Sequence, residues 1–261
     1  MTTDATIPRC WVISLPEAAD RRKQIERTFG EAGVKFAFET AVDGRTVNPD
    51  SYVDADLVRQ NIGRDLSAGE IGCSLSHRRL YRQILNEPDL PGAFIFEDDV
   101  TVSPNINSVL SAVLEMVGNG NDSLLVHLTG QHMLRYRDIL LSARHRQVGD
   151  GFVLERYLRG PEVIGTWGYF ITRAAAALIL SREPRLTNVA DAWKRRLLNG
   201  TIHGIYLMTP DAVHHPEHAQ GSGIERERAA LSGVPGEQQD ARSRAVRAAK
   251  RLIYPVVGRL L

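Results

Sequence analysis

The chain has 261 residues, 43% hydrophobic and 24% charged, with a net charge of +1; that profile excludes a disordered or fibrous protein and argues against bulk nucleic-acid binding. Its two cysteines cannot build a four-thiolate zinc site or a disulfide framework, and both read as small buried hydrophobes in a reducing compartment. Met1–Pro8 lacks the basic flank and apolar stretch of a secretory signal, and no run of eighteen apolar residues occurs, so export and membrane spanning are not expected.

Trp11–Leu15 reads as a strand closed by Pro16, and a helix follows with Ile25 and Phe29 one turn apart and Gly30 and Gly33 at its end. Phe36–Val42 is a short alternating strand before the turn Asp43-Gly44, and strand, helix, strand opens an α/β sheet. Residues 45–66 are polar and read as a loop. Ser67-Ala-Gly-Glu70 is an S-x-x-E capping box, which starts a helix carrying Ile71, Leu75, Tyr81 and Leu85 to near Pro88. Ala93–Phe96 is a buried strand, Asn105–Val117 a helix and Leu124–Leu128 a strand. Val153–Leu158 and Gly165–Thr172 read as strands, Ala174–Leu180 as a helix, and a further helix starts near Asp191 with Trp193, Leu197 and Leu198. Ile202–Met208 is the last strand, ahead of a histidine-rich loop over 210–223.

The strand Phe94-Ile-Phe runs directly into Glu97-Asp98-Asp99. Three adjacent acids repel one another, and the carboxyl ends of strands in α/β sheets are where ligands bind. Carboxylates suit Mg²⁺ or Mn²⁺, and on extended backbone Glu97 and Asp99 share a face while Asp98 points away; a solvated acidic turn fits the same residues. Arg21 and Arg22, just beyond the first strand, are placed to meet a diphosphate or simply to line an exposed helix face. Asp43 is a candidate for a ribose or base, or an ordinary turn residue. Glu70 and His77 are seven apart on one helix face, with Ser76 beside His77. Asp191 is a helix-start acid or a general base held by that helix end. His203, His214, His215 and His218 offer imidazoles at spacings that match no zincin motif.

Together these segments resemble glycosyltransferase family 25, the lipopolysaccharide or lipooligosaccharide sugar transferases. The resemblance is carried by Trp11-Val-Ile-Ser-Leu with Asp20-Arg21-Arg22, by Ala41-Val-Asp-Gly44, and by Leu66-Ser-Ala-Gly-Glu-Ile-Gly-Cys-Ser-Leu-Ser-His77. It continues with Phe94-Ile-Phe-Glu-Asp-Asp-Val100, Gly165-Thr-Trp-Gly-Tyr-Phe-Ile-Thr172 and Asp191, and covers roughly residues 10–224. Trp167-Gly168 stands where the family pattern has a His-Ala type of pair.

The resemblance implies an α/β, GT-A glycosyltransferase fold with a Rossmann-like mixed sheet flanked by helices; the change of composition at Gln238 sets the expected catalytic domain at residues 8–237. The resemblance further implies inverting transfer of a hexose, galactose foremost, from a UDP-sugar to a lipopolysaccharide-core or other lipid-linked saccharide, with Mn²⁺ or Mg²⁺ as cofactor. Asp191 becomes the catalytic base, Asp99 and Glu97 the metal ligands, and Glu97-Asp98-Asp99 the variant of an Asp-x-Asp motif. Arg21, Arg22, Asp43, Glu70, His77 and Asp98 become donor-binding residues, and Thr166 and Trp167 an acceptor or sugar loop. A catalytically silent nucleotide-sugar or glycan-binding module of the same fold is the alternative.

Residues 238–261 turn basic, with Arg242, Arg244, Arg247, Lys250, Arg251 and Arg259 against Asp240 and an apolar stripe broken at Pro255. This amphipathic tail suits an anionic membrane surface, or a C-terminal helix whose stripe packs on the domain and whose arginines are solvated; a lipid-linked acceptor favours the membrane, so the expected location is the cytoplasm, peripheral to the inner face of a bacterial inner membrane, with no nucleic-acid partner.

Overall fold

The computed structural model describes residues 8–129, 131, 139–149, 151–215 and 227, and expectations for the tail and for His218 lie outside them. Eight strands form one mixed sheet in the order β2-β1-β3-β8-β5-β9-β7-β6. These are β1 (Cys10–Ser14), β2 (Ala37–Thr40), β3 (Gly92–Glu97), β5 (Leu124–His127), β6 (Leu140–Val148), β7 (Phe152–Arg159), β8 (Gly168–Thr172) and β9 (Gly204–Thr209). A second, two-stranded ladder pairs β4 (Thr101–Val102) with β10 (Val213–His214).

Strands β1 and β8 are buried along their whole length, and β3 along all but its last residue, which is why they read as continuous apolar runs rather than alternating ones. Alternate residues feed opposite layers. Val12, Phe94, Phe96, Val126 and Phe170 pack with α1 (Ala19–Glu31) and α4 (Ile106–Val117). On the other face Trp11, Ile13, Ile95 and Ile171 pack with α3 (Ala68–Asn86), α5 (Arg173–Arg182) and α6 (Trp193–Leu198). A mixed sheet covered on both faces by helices is the Rossmann-like arrangement expected above.

Strands β1, β2 and β3 are parallel, whereas β8 runs antiparallel to both β3 and β5. Phe96 therefore pairs with Gly168, and the segment leading into β8 lies against the acids leaving β3. The Glu97 N–H donates to the Trp167 carbonyl (3.0 Å), closing that register.

The helix starting at Ser67 carries both halves of its capping box: Ser67 Oγ accepts from the Glu70 N–H and Glu70 from the Ser67 N–H. Its first turn presses onto the loop after β2. A Cβ on Gly44 would lie 1.8 Å from the Ala68 carbonyl oxygen, and one on Gly72 2.4 Å from that of Val42. Glycine at both positions permits the contact, which Ser76 Oγ secures by accepting from the Val42 N–H (2.8 Å).

Three expectations are corrected. Residues 45–66 are not all loop, because α2 (Ala55–Ile62) runs through them, capped by Asp54 and closed by Gly63 at φ +76°. Only Val58 of that helix is buried, so it lacks a broad apolar stripe. Strand β6 was missed because its largely exposed, polar sequence has no alternation and only pairing with β7 defines it. The loop from 210 contains β10, which folds Val213 onto Val102.

Candidate active site

Strands β1, β3, β5 and β9 end on the edge of the sheet where β8 begins. The three acids separate there. Asp98 turns to the α1 side, where Oδ2 accepts from Ser14 Oγ (2.7 Å) and Oδ1 pairs with Arg21 Nη1 (2.9 Å). Burial raises its carboxyl above the usual range, against the opposing effects of the Ser14 donor and the Arg21 charge. Glu97 faces α3, accepting from the Thr166 hydroxyl and lying 3.9 Å from His77 Nε2. Glu97 is the last residue of β3 and Asp98 and Asp99 lie in the turn after it, so the carboxylates leave the strand in different directions.

Asp99 pairs through Oδ2 with His215 Nε2 (3.4 Å), and its buried Oδ1 has no hydrogen-bond partner among the described residues. A carboxylate oxygen removed from water without a donor is costly, and a hard cation is the partner that would satisfy it. The His215 ring stacks on Trp167 (centroids 4.8 Å, 22° between planes). Thr166 and Trp167 thus touch the surroundings of Glu97 and Asp99 respectively, as neighbours in one strap.

Gly165 anchors that strap. At φ +88° it suits glycine, its carbonyl accepts from Trp193 Nε1 (2.9 Å) and His127 Nε2 (3.1 Å), and its N–H donates to Asp191 Oδ2 (2.8 Å). Asp191 precedes α6, which begins at Trp193 with Ala192 at the cap. The carboxylate is oriented by a loop N–H instead, and Oδ1 has no protein partner among the described residues.

The other sequence candidates divide. Arg21 reaches the acids, whereas Arg22 lies over the Phe38 ring (4.1 Å to the centroid). Asp43 caps a short turn and binds Arg45 through both oxygens, which lowers its carboxyl pKa. The Glu70 carboxylate is occupied within its own helix start: Arg64 grips both oxygens at 2.7 Å and the Ser67 N–H adds a third bond. These bonds give Glu70 the structural role that the capping box predicts. Glu70→Ala should cost about 2–4 kcal/mol of unfolding free energy, read from denaturant midpoints, and leave UDP affinity unchanged. His77 is buried between Glu97 and Tyr169, whose hydroxyl lies 2.7 Å from Nδ1.

Residues 7–192 match glycosyltransferase family 25 (LPS biosynthesis protein). The chain belongs to that family. Among its relatives is the lacto-N-neotetraose biosynthesis glycosyltransferase LgtE of Neisseria meningitidis, 31% identical over 180 residues, which are 66% of this chain and 59% of that protein. Procollagen galactosyltransferase 1-A of Xenopus laevis is 32% identical over 96 residues, 34% of this chain and 16% of the relative. The inactive glycosyltransferase 25 family member 3 of Mus musculus is 31% identical over 184 residues, 67% of this chain and 29% of the relative. The chain spans half or less of the length of several relatives it matches. The family match contains Glu97, Asp98, Asp99 and Asp191 and ends before His215.

Sequence reasoning passed over Ser14 and treated Cys73 as a buried hydrophobe; Cys73 is partly exposed, with Sγ 3.9 Å from Thr166 Oγ1. Among the histidines, His215 meets Asp99, His214 lies beside Ser103 and His203 is exposed elsewhere. His127 had no signal beyond its strand position. It is fully buried, donates to Gly165 and accepts from Thr129, and desolvation lowers its pKa below 6.5. The unfolded imidazole binds a proton that the folded one refuses, so stability is lost as pH falls below 6.5. The loss should approach about 1.4 kcal/mol per pH unit, visible as a steeper pH dependence of unfolding than in His127→Gln.

Proposed function

We propose that the protein is an inverting, cation-dependent glycosyltransferase that moves a hexose, galactose foremost, from a UDP-sugar to a lipopolysaccharide-core or other lipid-linked saccharide. The observation that carries this reading is the unpartnered, buried Asp99 Oδ1 beside two further strand-end carboxylates. Asp99 and Glu97 would hold Mn²⁺ or Mg²⁺, which when bound offsets negative charge developing on the diphosphate leaving group.

The remaining roles fall to the chain's own groups. Arg21, already at the acids, contributes a guanidinium suited to a diphosphate oxygen. Asp43 stays the candidate for the nucleoside, with Arg45 as its present partner. Thr166 and Trp167 stay the candidates for the acceptor or sugar loop, with the Trp167 ring stacked on His215 beside the anchored Gly165. Asp191 accepts the proton of the acceptor hydroxyl while that oxygen bonds to the anomeric carbon and the bond to UDP breaks. One displacement inverts the configuration and needs one base. The galactose preference draws on the name of the Xenopus relative.

No helix among the described residues is long and apolar enough to cross a membrane. Contact with an anionic inner-membrane surface is proposed for the basic tail, the acceptor being lipid-linked.

The deciding experiment is calorimetry of a UDP-sugar panel with Mn²⁺, followed by transfer or slow hydrolysis of the sugar that binds. Binding and chelator-sensitive turnover are expected; binding without turnover would favour the silent module, a reading suggested by the inactive mouse relative. Arg21→Ala should raise the dissociation constant of UDP, by about tenfold for the loss of one charge-assisted contact. An unchanged constant would place the diphosphate elsewhere.

A further inference from the structure

We infer that the junction of α3, β3 and the strap before β8 is a second cation site, selective for a thiophilic divalent ion of the zinc type, with Cys73, His77 and Glu97 as ligands. Cys73 and His77 are four apart on α3, one turn along the same helical face. The end of β3 brings Glu97 to them, and one ligand atom from each residue lies within 4.8 Å of the other two. Tetrahedral zinc with Zn–S near 2.3 Å and Zn–N or Zn–O near 2.0–2.2 Å separates its ligands by roughly 3.3–3.8 Å, so closing on an ion takes about an ångström of movement or less. His77 Nε2 and Glu97 Oε1 already stand 3.9 Å apart.

The donor set is unlike that of the Asp99 site. A thiolate and an imidazole favour zinc-like ions over Mg²⁺, whereas carboxylates alone favour the hard cations. Three protein ligands with a partly exposed thiol match the pattern of zinc sites that keep a fourth position open.

The surrounding groups orient these ligands. An ion on His77 Nε2 requires the proton on Nδ1, where the Tyr169 hydroxyl, 2.7 Å away, accepts it. Tyr169 in turn lies 2.9 Å from the Tyr81 hydroxyl, and both rings are buried. The Thr166 hydroxyl donates to Glu97 and so aims its carboxylate. Binding releases one proton, that of the Cys73 thiol, to solvent. A zinc-type ion seated here also draws Glu97 away from a hard cation on Asp99, which gives the site a means of inhibiting the proposed transfer.

The test uses the full, reduced, metal-free chain titrated with Co²⁺ and followed by absorption, so it does not depend on the glycosyltransferase reading. A thiolate-to-cobalt charge-transfer band is expected, saturating at one ion per chain, displaced by Zn²⁺ and lost in Cys73→Ser. Tyr169→Phe should weaken Co²⁺ binding by about 10–100-fold, the cost of removing a ligand's hydrogen-bond partner. No thiolate band in the wild-type chain, or an unchanged band in Cys73→Ser, would overturn the site. A measurement on the wild-type protein guards against a misfolded variant: Zn²⁺, but not Mg²⁺, should slow alkylation of Cys73 by iodoacetamide. Equal rates with and without Zn²⁺ would also overturn it.

Discussion

Asp191→Asn should lower turnover by about 10²- to 10⁴-fold, the usual contribution of a positioned general base, while leaving UDP affinity as it is. The substitution is conservative where the structure needs it to be. An asparagine oxygen can still accept from the Gly165 N–H now bonded to Oδ2 at 2.8 Å, and the Trp193 and His127 bonds to the Gly165 carbonyl are untouched. The strap carrying Thr166 and Trp167 should therefore stay in place, so that the lost quantity is basicity rather than geometry. Single-turnover rates at saturating donor, alongside calorimetry with UDP, separate the two. Weakened donor binding with normal turnover would make Asp191 a sugar-binding residue instead.

Asp99→Asn should abolish the Mn²⁺ dependence of donor binding and reduce turnover by about 10²-fold or more, since several kcal/mol of charge stabilisation depend on the cation and each 1.4 kcal/mol is about tenfold. Its effect on stability should run the other way. Asn keeps the size of Asp, removes one of three adjacent negative charges, and ends the burial of a carboxylate oxygen that lacks a donor. The His215 contact it gives up is a 3.4 Å pair. The metal-free melting temperature should thus be unchanged or higher than that of the wild type. Chelating the wild-type enzyme should reproduce the activity loss and have no further effect on the variant. Wild-type turnover in Asp99→Asn would remove Asp99 from the cation site.

The elements legible in the sequence are those whose signals are local. The capping box at Ser67–Glu70 and the apolar run Phe94–Phe96 ending in three acids each state their structure within a few residues, because helix starts and buried strands are built from neighbours in the chain. Where the signal was absent the element was lost: α2 buries one residue, and β6 is an exposed edge strand that exists by pairing with β7.

The site is different in kind. The acids marked a strand end suited to a cation, but their partners come from afar. Ser14 reaches Asp98 across 84 residues, Thr166 reaches Glu97 across 69, and His215 meets Asp99 only because β10 pairs with β4. Local pattern could not tell Arg21 from Arg22, show that Arg64 would grip Glu70, or bring Cys73 to Glu97. Those outcomes depend on which strand lies beside which and in what register. Long-range pairing and packing decide that, and a linear sequence carries no periodic signal for it.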